Sequence, residues 1–187
     1  MEEEIKKVVE VLKLGGTILY PTDTIWGIGC DATNYKATEK VYKLKGRVPQ
    51  KSLIILVDSL EKLREYIGEL PEMAIDLIES MTDPLTIIYP GARNLAKNVM
   101  AGDQSIAVRI PRDEFCQQLL KAFGKPITST SANRSGDPSP LSFSKISNEI
   151  INGVDYVVGI NQHQVNRPKA STIVRINEDG EIQILRN

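Results

Sequence analysis

Leu53-Ile54-Ile55-Leu56-Val57 is an unbroken apolar run. A strand with one wet face alternates apolar and polar residues, so a continuous run predicts a strand covered on both faces, as in layered α/β sheets. Helical patterns flank it. Upstream, residues 35–45 place Ala37, Val41, Tyr42 and Leu44 at helical spacing, with Thr33 or Asn34 able to cap the start and lysines near the end. Downstream, residues 60–67 and 71–81 read as two helical pieces, with Pro71 tolerated in the first turn of the second.

The remaining pattern extends this alternation. Residues 2–14 carry Ile5, Val8, Val9 and Leu12 on one helical face, and Gly15-Gly16 supplies a stop. Residues 17–20 predict a short buried strand closed by Pro21, followed by the polar, glycine-bearing loop TDTIWGIGCDATN. Strands are expected at 84–89 and 105–110, separated by a polar segment at 91–103, and a helix at 114–123. Pro126-Ile127-Thr128 begins as a β-branched run and turns into the small polar residues of TSTSANRSGDPSP. A helix at 143–150, Tyr156-Val157-Val158, and strands at 171–176 and 181–185 around a Glu178-Asp179-Gly180 turn complete the chain. With no repeat and no shift in composition, residues 1–187 are expected to form one α/β domain, a twisted open mixed sheet with flanking helices that the terminal hairpin makes partly antiparallel.

Composition narrows the chemistry. No apolar run approaches the roughly 20 residues needed to span a bilayer, and the N-terminus is an acidic-then-basic amphipathic helix unlike a signal peptide, so a cytoplasmic protein with no membrane partner is expected. Cys30 and Cys116 lie outside any CxxC spacing, and His163 is the sole histidine. That disfavours zinc, disulfide and histidine-centred catalysis. A net charge of −1, from 23 basic and 24 acidic residues, argues against a general nucleic-acid binder but leaves room for a local basic pocket.

Four groups of residues are candidates for that pocket. Lys45, Arg47 and Lys51 cluster between a helix end and the apolar strand; lysines there complement the helix dipole, whereas Arg47 and Lys51 lie beyond it, where a loop could aim them at an anion. Alternation along 105–110 puts Ser105, Ala107 and Arg109 on one face, either solvent-facing or lining a crevice where arginine would suit a carboxylate. Thr24 sits in a glycine-bearing loop at a strand end, either placed to hydrogen-bond a ligand or part of a tight turn with Trp26 as a core anchor. The 125–140 stretch offers Ser129, Ser131, Asn133 and Ser139, either as a turn or as small groups that let phosphate approach the backbone. No P-loop or complete GxGxxG motif is present.

Taken together, PTDTIWGIGCDAT, YKLKGRVPQKSL, SIAVRIP, TSTSANRSGDPSP and STIVRI resemble, in order, the motifs of the YrdC-like family of threonylcarbamoyl-AMP synthases. The resemblance covers almost the whole chain and implies an α/β fold around a basic cavity that takes ATP, L-threonine and bicarbonate, with Mg2+ held mainly through the ATP phosphates. It implies that Thr24, Arg109, Ser129 and Ser171 hold threonine. Arg47, Lys51, Ser105, Ser131, Asn133, Ser139 and Arg186 would surround ATP, with Lys45, Arg47 and Lys51 as the catalytic cations. The product would serve a separate threonylcarbamoyl transferase that modifies the adenosine next to the anticodon in tRNAs reading codons that begin with A. Departures from the pattern are Trp26 for Tyr, Met81-Thr82-Asp83 for Trp-Pro-Gly, Ser52 for Pro or Gly, and Arg175 for Asp, the last two in keeping with a divergent YciO-like paralogue. A different reading of the same basic cavity is a non-catalytic module contacting tRNA or double-stranded RNA.

Overall fold

The computed structural model describes residues 1–48, 52–163 and 170–187. Among these, nine strands form one mixed sheet: β1 (Ile18–Tyr20), β2 (Gly27–Gly29), β3 (Ile54–Leu56), β4 (Leu85–Tyr89), β5 (Ile106–Arg109), β6 (Ile127–Ser131), β7 (Tyr156–Val157), β8 (Thr172–Ile176) and β9 (Ile182–Arg186). Their spatial order is β7-β1-β2-β6-β3-β5-β4-β8-β9. The apolar run supplies β3 in the interior, parallel to β5 and antiparallel to β6. Antiparallel pairing extends well beyond the terminal hairpin, since β1 with β2, β2 with β6 and β4 with β5 also run antiparallel.

Helices α1 (Glu2–Lys13), α2 (Tyr35–Lys45), α3 (Leu60–Arg64), α4 (Glu72–Ser80), α5 (Glu114–Phe123) and α6 (Asn148–Gly153) follow the expected order. The predicted α1 face is the buried one: Ile5, Val8, Val9 and Leu12 face the core. Asn34 caps α2 by accepting from the Ala37 amide at 3.1 Å, and Gly46, at φ 58°, ends it in the left-handed conformation that glycine adopts without strain. Residues 143–150 divide into a short 3-10 turn at Phe143–Lys145 and α6, where a single helix is predicted. Ser147 accepts from the Ile150 amide there, starting a new helix in place of a continued one. No helix of the described residues is long and apolar enough to cross a membrane.

Two core clusters share the sheet. One gathers α1, α2 and α5 with β1, β2 and β6; the other packs α3 and α4 against β3, β4, β5 and β8. Register then determines which side chains share a face. Ser129, Ile54 and Ala107 stand abreast on β6, β3 and β5. In the next row Arg109 stands abreast of Thr86, Ile173 and Arg186 across β5, β4, β8 and β9. Side chains at paired positions project to the same side of a sheet. An arginine from the middle of the chain and one from its end are thus brought over one surface.

The glycine-bearing loop holds the main departure from the expected topology, because Gly27–Gly29 is a strand, β2, wedged between β1 and β6. A Cβ on Gly29 would lie 2.4 Å from the Thr128 carbonyl oxygen and 2.8 Å from the Tyr20 ring. Glycine is required there by close approach of neighbouring chain.

Candidate functional site

A cavity of about 370 Å³ opens on the face that carries Arg109. It is lined by residues that include Thr24, Trp26, Arg47, Ser52, Arg109, Ser129, Thr130, Ser131, Ser139, Ser171 and Arg186. Three guanidinium groups and a set of hydroxyls meet there, and no carboxylate belongs to its described wall. The chain is nearly neutral, yet this cavity is positive and rich in donors, an arrangement suited to an anion.

Arg109 is 5% exposed at the end of β5. Its Nη1 donates to Thr24 Oγ1 at 2.9 Å and lies 3.4 Å from Asp23 Oδ1. The loop fixes Thr24 in turn: the Thr22 hydroxyl donates to the Ile25 carbonyl at 2.7 Å and lies 3.0 Å from Thr24 Oγ1. With the Thr22 proton used, Thr24 donates in that contact, so its remaining capacity toward a ligand is a lone pair. Two buried N–H groups of the wall, Arg109 Nε and Trp26 Nε1, have no hydrogen-bond partner among the described residues. Buried donors without partners are rare.

Arg47 lies just beyond α2. Its Nη2 donates to the Ser52 carbonyl at 2.8 Å, and Nη1 reaches Thr130 Oγ1 at 3.5 Å. Burial lowers its pKa from the ordinary guanidinium value, and arginine stays protonated all the same. Arg186, on β9, donates through Nε and Nη2 to the Ser171 carbonyl at 3.0 and 2.8 Å, while Ser171 Oγ is 2.8 Å from Thr86 Oγ1. Burial, then the nearby Arg109 charge, lowers the Arg186 pKa too.

The fold therefore gathers Thr24, Arg47, Arg109, Ser129, Ser131, Ser139, Ser171 and Arg186 around one space. Three other candidates stand apart from that wall. Ser105 precedes β5, and its hydroxyl donates to Asp103 Oδ1 at 2.6 Å instead of continuing the alternation of Ala107 and Arg109. Asn133 spans its own loop, donating to the Asp137 carbonyl at 2.6 Å. Lys45 is 2% exposed and directs its ammonium at main-chain carbonyls. Lys51 lies outside the described residues. Arg175 pairs with Asp103 Oδ2 at 3.3 Å and is not part of the described wall. Sequence reasoning missed Ser52 and Thr130 as ligands of Arg47; Thr130 was legible as part of the same hydroxyl run as Ser129 and Ser131. Trp26 packs on Phe143 with ring centroids 4.8 Å apart, as a core anchor should, and also forms cavity wall.

The sequence profile of the Sua5/YciO/YrdC family, described as telomere recombination, matches residues 10–187. The chain belongs to this family. Relatives include a threonylcarbamoyl-AMP synthase of Pseudoalteromonas translucida, 32% identical over 160 residues that cover 84% of this chain and 86% of that protein. Another, from Vibrio parahaemolyticus, is 35% identical over 151 residues and bears the same name, covering 79% of this chain and 82% of the relative. Among solved structures, P. abyssi Sua5 complexed with L-threonine superposes with a TM-score of 0.90 at 28% identity over the full chain, which spans 54% of that protein. E. coli YciO shares the fold, with a TM-score of 0.86 at 22% identity, covering 100% of this chain and 89% of that one.

One consequence concerns pH. Burial lowers the Lys45 pKa from 10.5 to about 8, with the Arg47 charge adding to the effect. The unfolded chain therefore holds a proton that the folded protein releases between about pH 8 and 10.5, and stability from this group rises with pH across that window. Chemical denaturation at pH 8 and 9.5 should show wild type gaining stability relative to Lys45→Met; an unchanged difference contradicts the burial of a charged lysine.

Proposed function

We propose that this protein is a nucleotidyltransferase that makes threonylcarbamoyl-AMP and pyrophosphate from L-threonine, bicarbonate and ATP. The observation that carries this reading is a carboxylate-free cavity in which the braced Arg109–Thr24 corner faces the same space as Arg47, Ser131 and Ser139. The names of the relatives and the threonine complex of Sua5 support it.

In this reading Arg109 pairs with the threonine carboxylate through its guanidinium group. The lone pair of Thr24 suits a ligand N–H, while Ser129 and Ser171 lie beside the same end. Arg47, Ser131, Ser139 and Arg186 take the nucleotide. Condensation of the threonine amine with bicarbonate gives a carbamate and water. A carbamate oxygen then bonds to the α-phosphorus as the bond to the bridging oxygen breaks, and pyrophosphate leaves with that electron pair. Positioning and charge stabilisation supply most of the catalysis in such a transfer, which needs no histidine base.

No group of three or more His, Cys, Asp or Glu side chains among the described residues forms a metal site, and the cavity wall offers only neutral oxygens. A magnesium ion would enter on the triphosphate, neutralising part of its charge, with Ser and Thr hydroxyls as the side-chain oxygens of the described wall. The reading places the protein in the cytoplasm, with its product passed to a separate transferase acting on tRNA.

Pyrophosphate release tests the proposal: it should require ATP, threonine and bicarbonate together. Release without threonine points to a nucleotide hydrolase, and salt-sensitive RNA binding without release points to a non-catalytic module. Ser131→Ala should weaken ATP binding by about 3- to 10-fold, the worth of one neutral hydrogen bond, with less effect on threonine. Titration calorimetry with each substrate checks this, and the opposite pattern would exchange the two ends of the cavity.

A further inference from the structure

Lys45 is the last residue of α2, and no carboxylate pairs with it among the described residues. Its Nζ donates to the Ser131 carbonyl at 2.6 Å and the Asn133 carbonyl at 2.7 Å, with Asn133 Oδ1 at 3.5 Å. The main chain of the same residue makes a further link, because its carbonyl accepts from the Ser135 amide at 2.8 Å. Both ends of one lysine thus fasten the same loop, more than eighty residues away in sequence. Gly46 has Arg134 directly above it: a Cβ there would lie 2.7 Å from Arg134 Nη2. Helix end and loop are in close contact along this seam.

The charge is where water cannot solvate it. A buried ammonium is retained only where acceptors surround it, and hydrogen bonds from a charged donor are stronger than neutral ones. The carbonyls of Ser131 and Asn133 and the C-terminal end of the α2 dipole provide that surrounding. The residues on either side of the seam do face the cavity: Arg47 two positions on, Ser131 at the end of β6 and Ser139 in the loop that follows.

We infer that Lys45 is a positioning residue and not a phosphate ligand: its buried ammonium fastens the loop after β6 to the end of α2, fixing Ser131 and Ser139 at a set separation from Arg47. This rests on the reading of that wall as the nucleotide side of the cavity. Loss of the ammonium would leave the Asn133 carbonyl without this donor and the Ser131 carbonyl with the Asn133 amide alone, and free the loop to move relative to Arg47. The damage would fall on ATP, whose binding spans the seam, and spare threonine at the Arg109 end.

The test combines proteolysis without nucleotide and kinetics with it. In Lys45→Met, tryptic cleavage after Arg134, an exposed residue of the loop, should accelerate at least fivefold in the absence of any ligand. The KM for ATP should rise about tenfold or more, with kcat changing less than threefold and the KM for threonine less than twofold. A fall in kcat with unchanged cleavage would mean that Lys45 acts on the phosphates directly, and the proposal fails. Should that variant not fold, wild-type protein gives the answer through reductive methylation of its lysines. Lys45 should be modified slowly and at the same rate with or without ATP, whereas protection by ATP of more than fivefold overturns the proposal. A wild type that binds no ATP would refute the nucleotide reading while the ligand-free cleavage comparison still decides what Lys45 holds.

Discussion

Arg109→Ala should weaken threonine binding by about 100-fold or more and leave ATP affinity within a few-fold. The guanidinium is 5% exposed, its orientation is set by Thr24 and Asp23, and its Nε has no other partner to lose. Truncating one member of a desolvated charge pair typically costs about 2–5 kcal/mol, roughly 30-fold to several thousand-fold in affinity. The partly buried Asp23 would lose its cationic neighbour, so the single variant should also lose stability. Arg109→Ala combined with Asp23→Asn separates these effects: the double variant should recover part of the stability and none of the threonine affinity. Calorimetric titration and a denaturation curve on each protein suffice. Threonine binding within a few-fold of wild type in Arg109→Ala would remove Arg109 from the carboxylate site.

Arg47→Ala has a different expected signature. Arg47 is held by the Ser52 carbonyl and reaches Thr130, so its charge is preorganised over the wall that also carries Ser131 and Ser139. A charge fixed before the reaction acts most strongly where negative charge builds up, here on the α-phosphorus oxygens and departing pyrophosphate. The expected loss in kcat is on the order of 100-fold or more, as for removal of a preorganised stabilising group, with a smaller change in ATP affinity. Steady-state kinetics at saturating threonine and bicarbonate measures both. Unchanged kcat with a raised KM for ATP would make Arg47 a binding residue only.

Much of the frame was legible because it obeys local rules. The α1 stripe, the Leu53–Val57 run and the α2 cap each follow from periodicity or capping chemistry that a short window contains. β2 was not, because Gly27 and Gly29 are poor strand formers, and Gly29 is present for a tertiary reason, the close passage of Thr128 and Tyr20. The hydroxyl run after Thr128 was expected to leave the sheet at once, yet β6 continues to Ser131. Its polar groups find partners inside the sheet: Thr128 Oγ1 accepts from the Cys30 amide at 3.0 Å. The same limit governs the site. Alternation correctly grouped Ala107 with Arg109 on the cavity face but ran one residue too far, to Ser105, where the chain turns to meet Asp103. Its place at a helix end made Lys45 a dipole partner and the resemblance made it a catalytic cation; neither pointed to the Ser131 and Asn133 carbonyls that its ammonium contacts.

In the proposed reaction one cavity joins threonine, a bicarbonate carbon and the α-phosphate of ATP. Mass spectrometry of the reaction mixture made with 13C-bicarbonate tests it directly. The predicted product carries adenylate, threonine and a single heavy carbon in one molecule, and it disappears in Arg109→Ala at substrate concentrations near the wild-type KM. Formation of ADP, or of AMP without the heavy-carbon threonine adduct, would contradict the account.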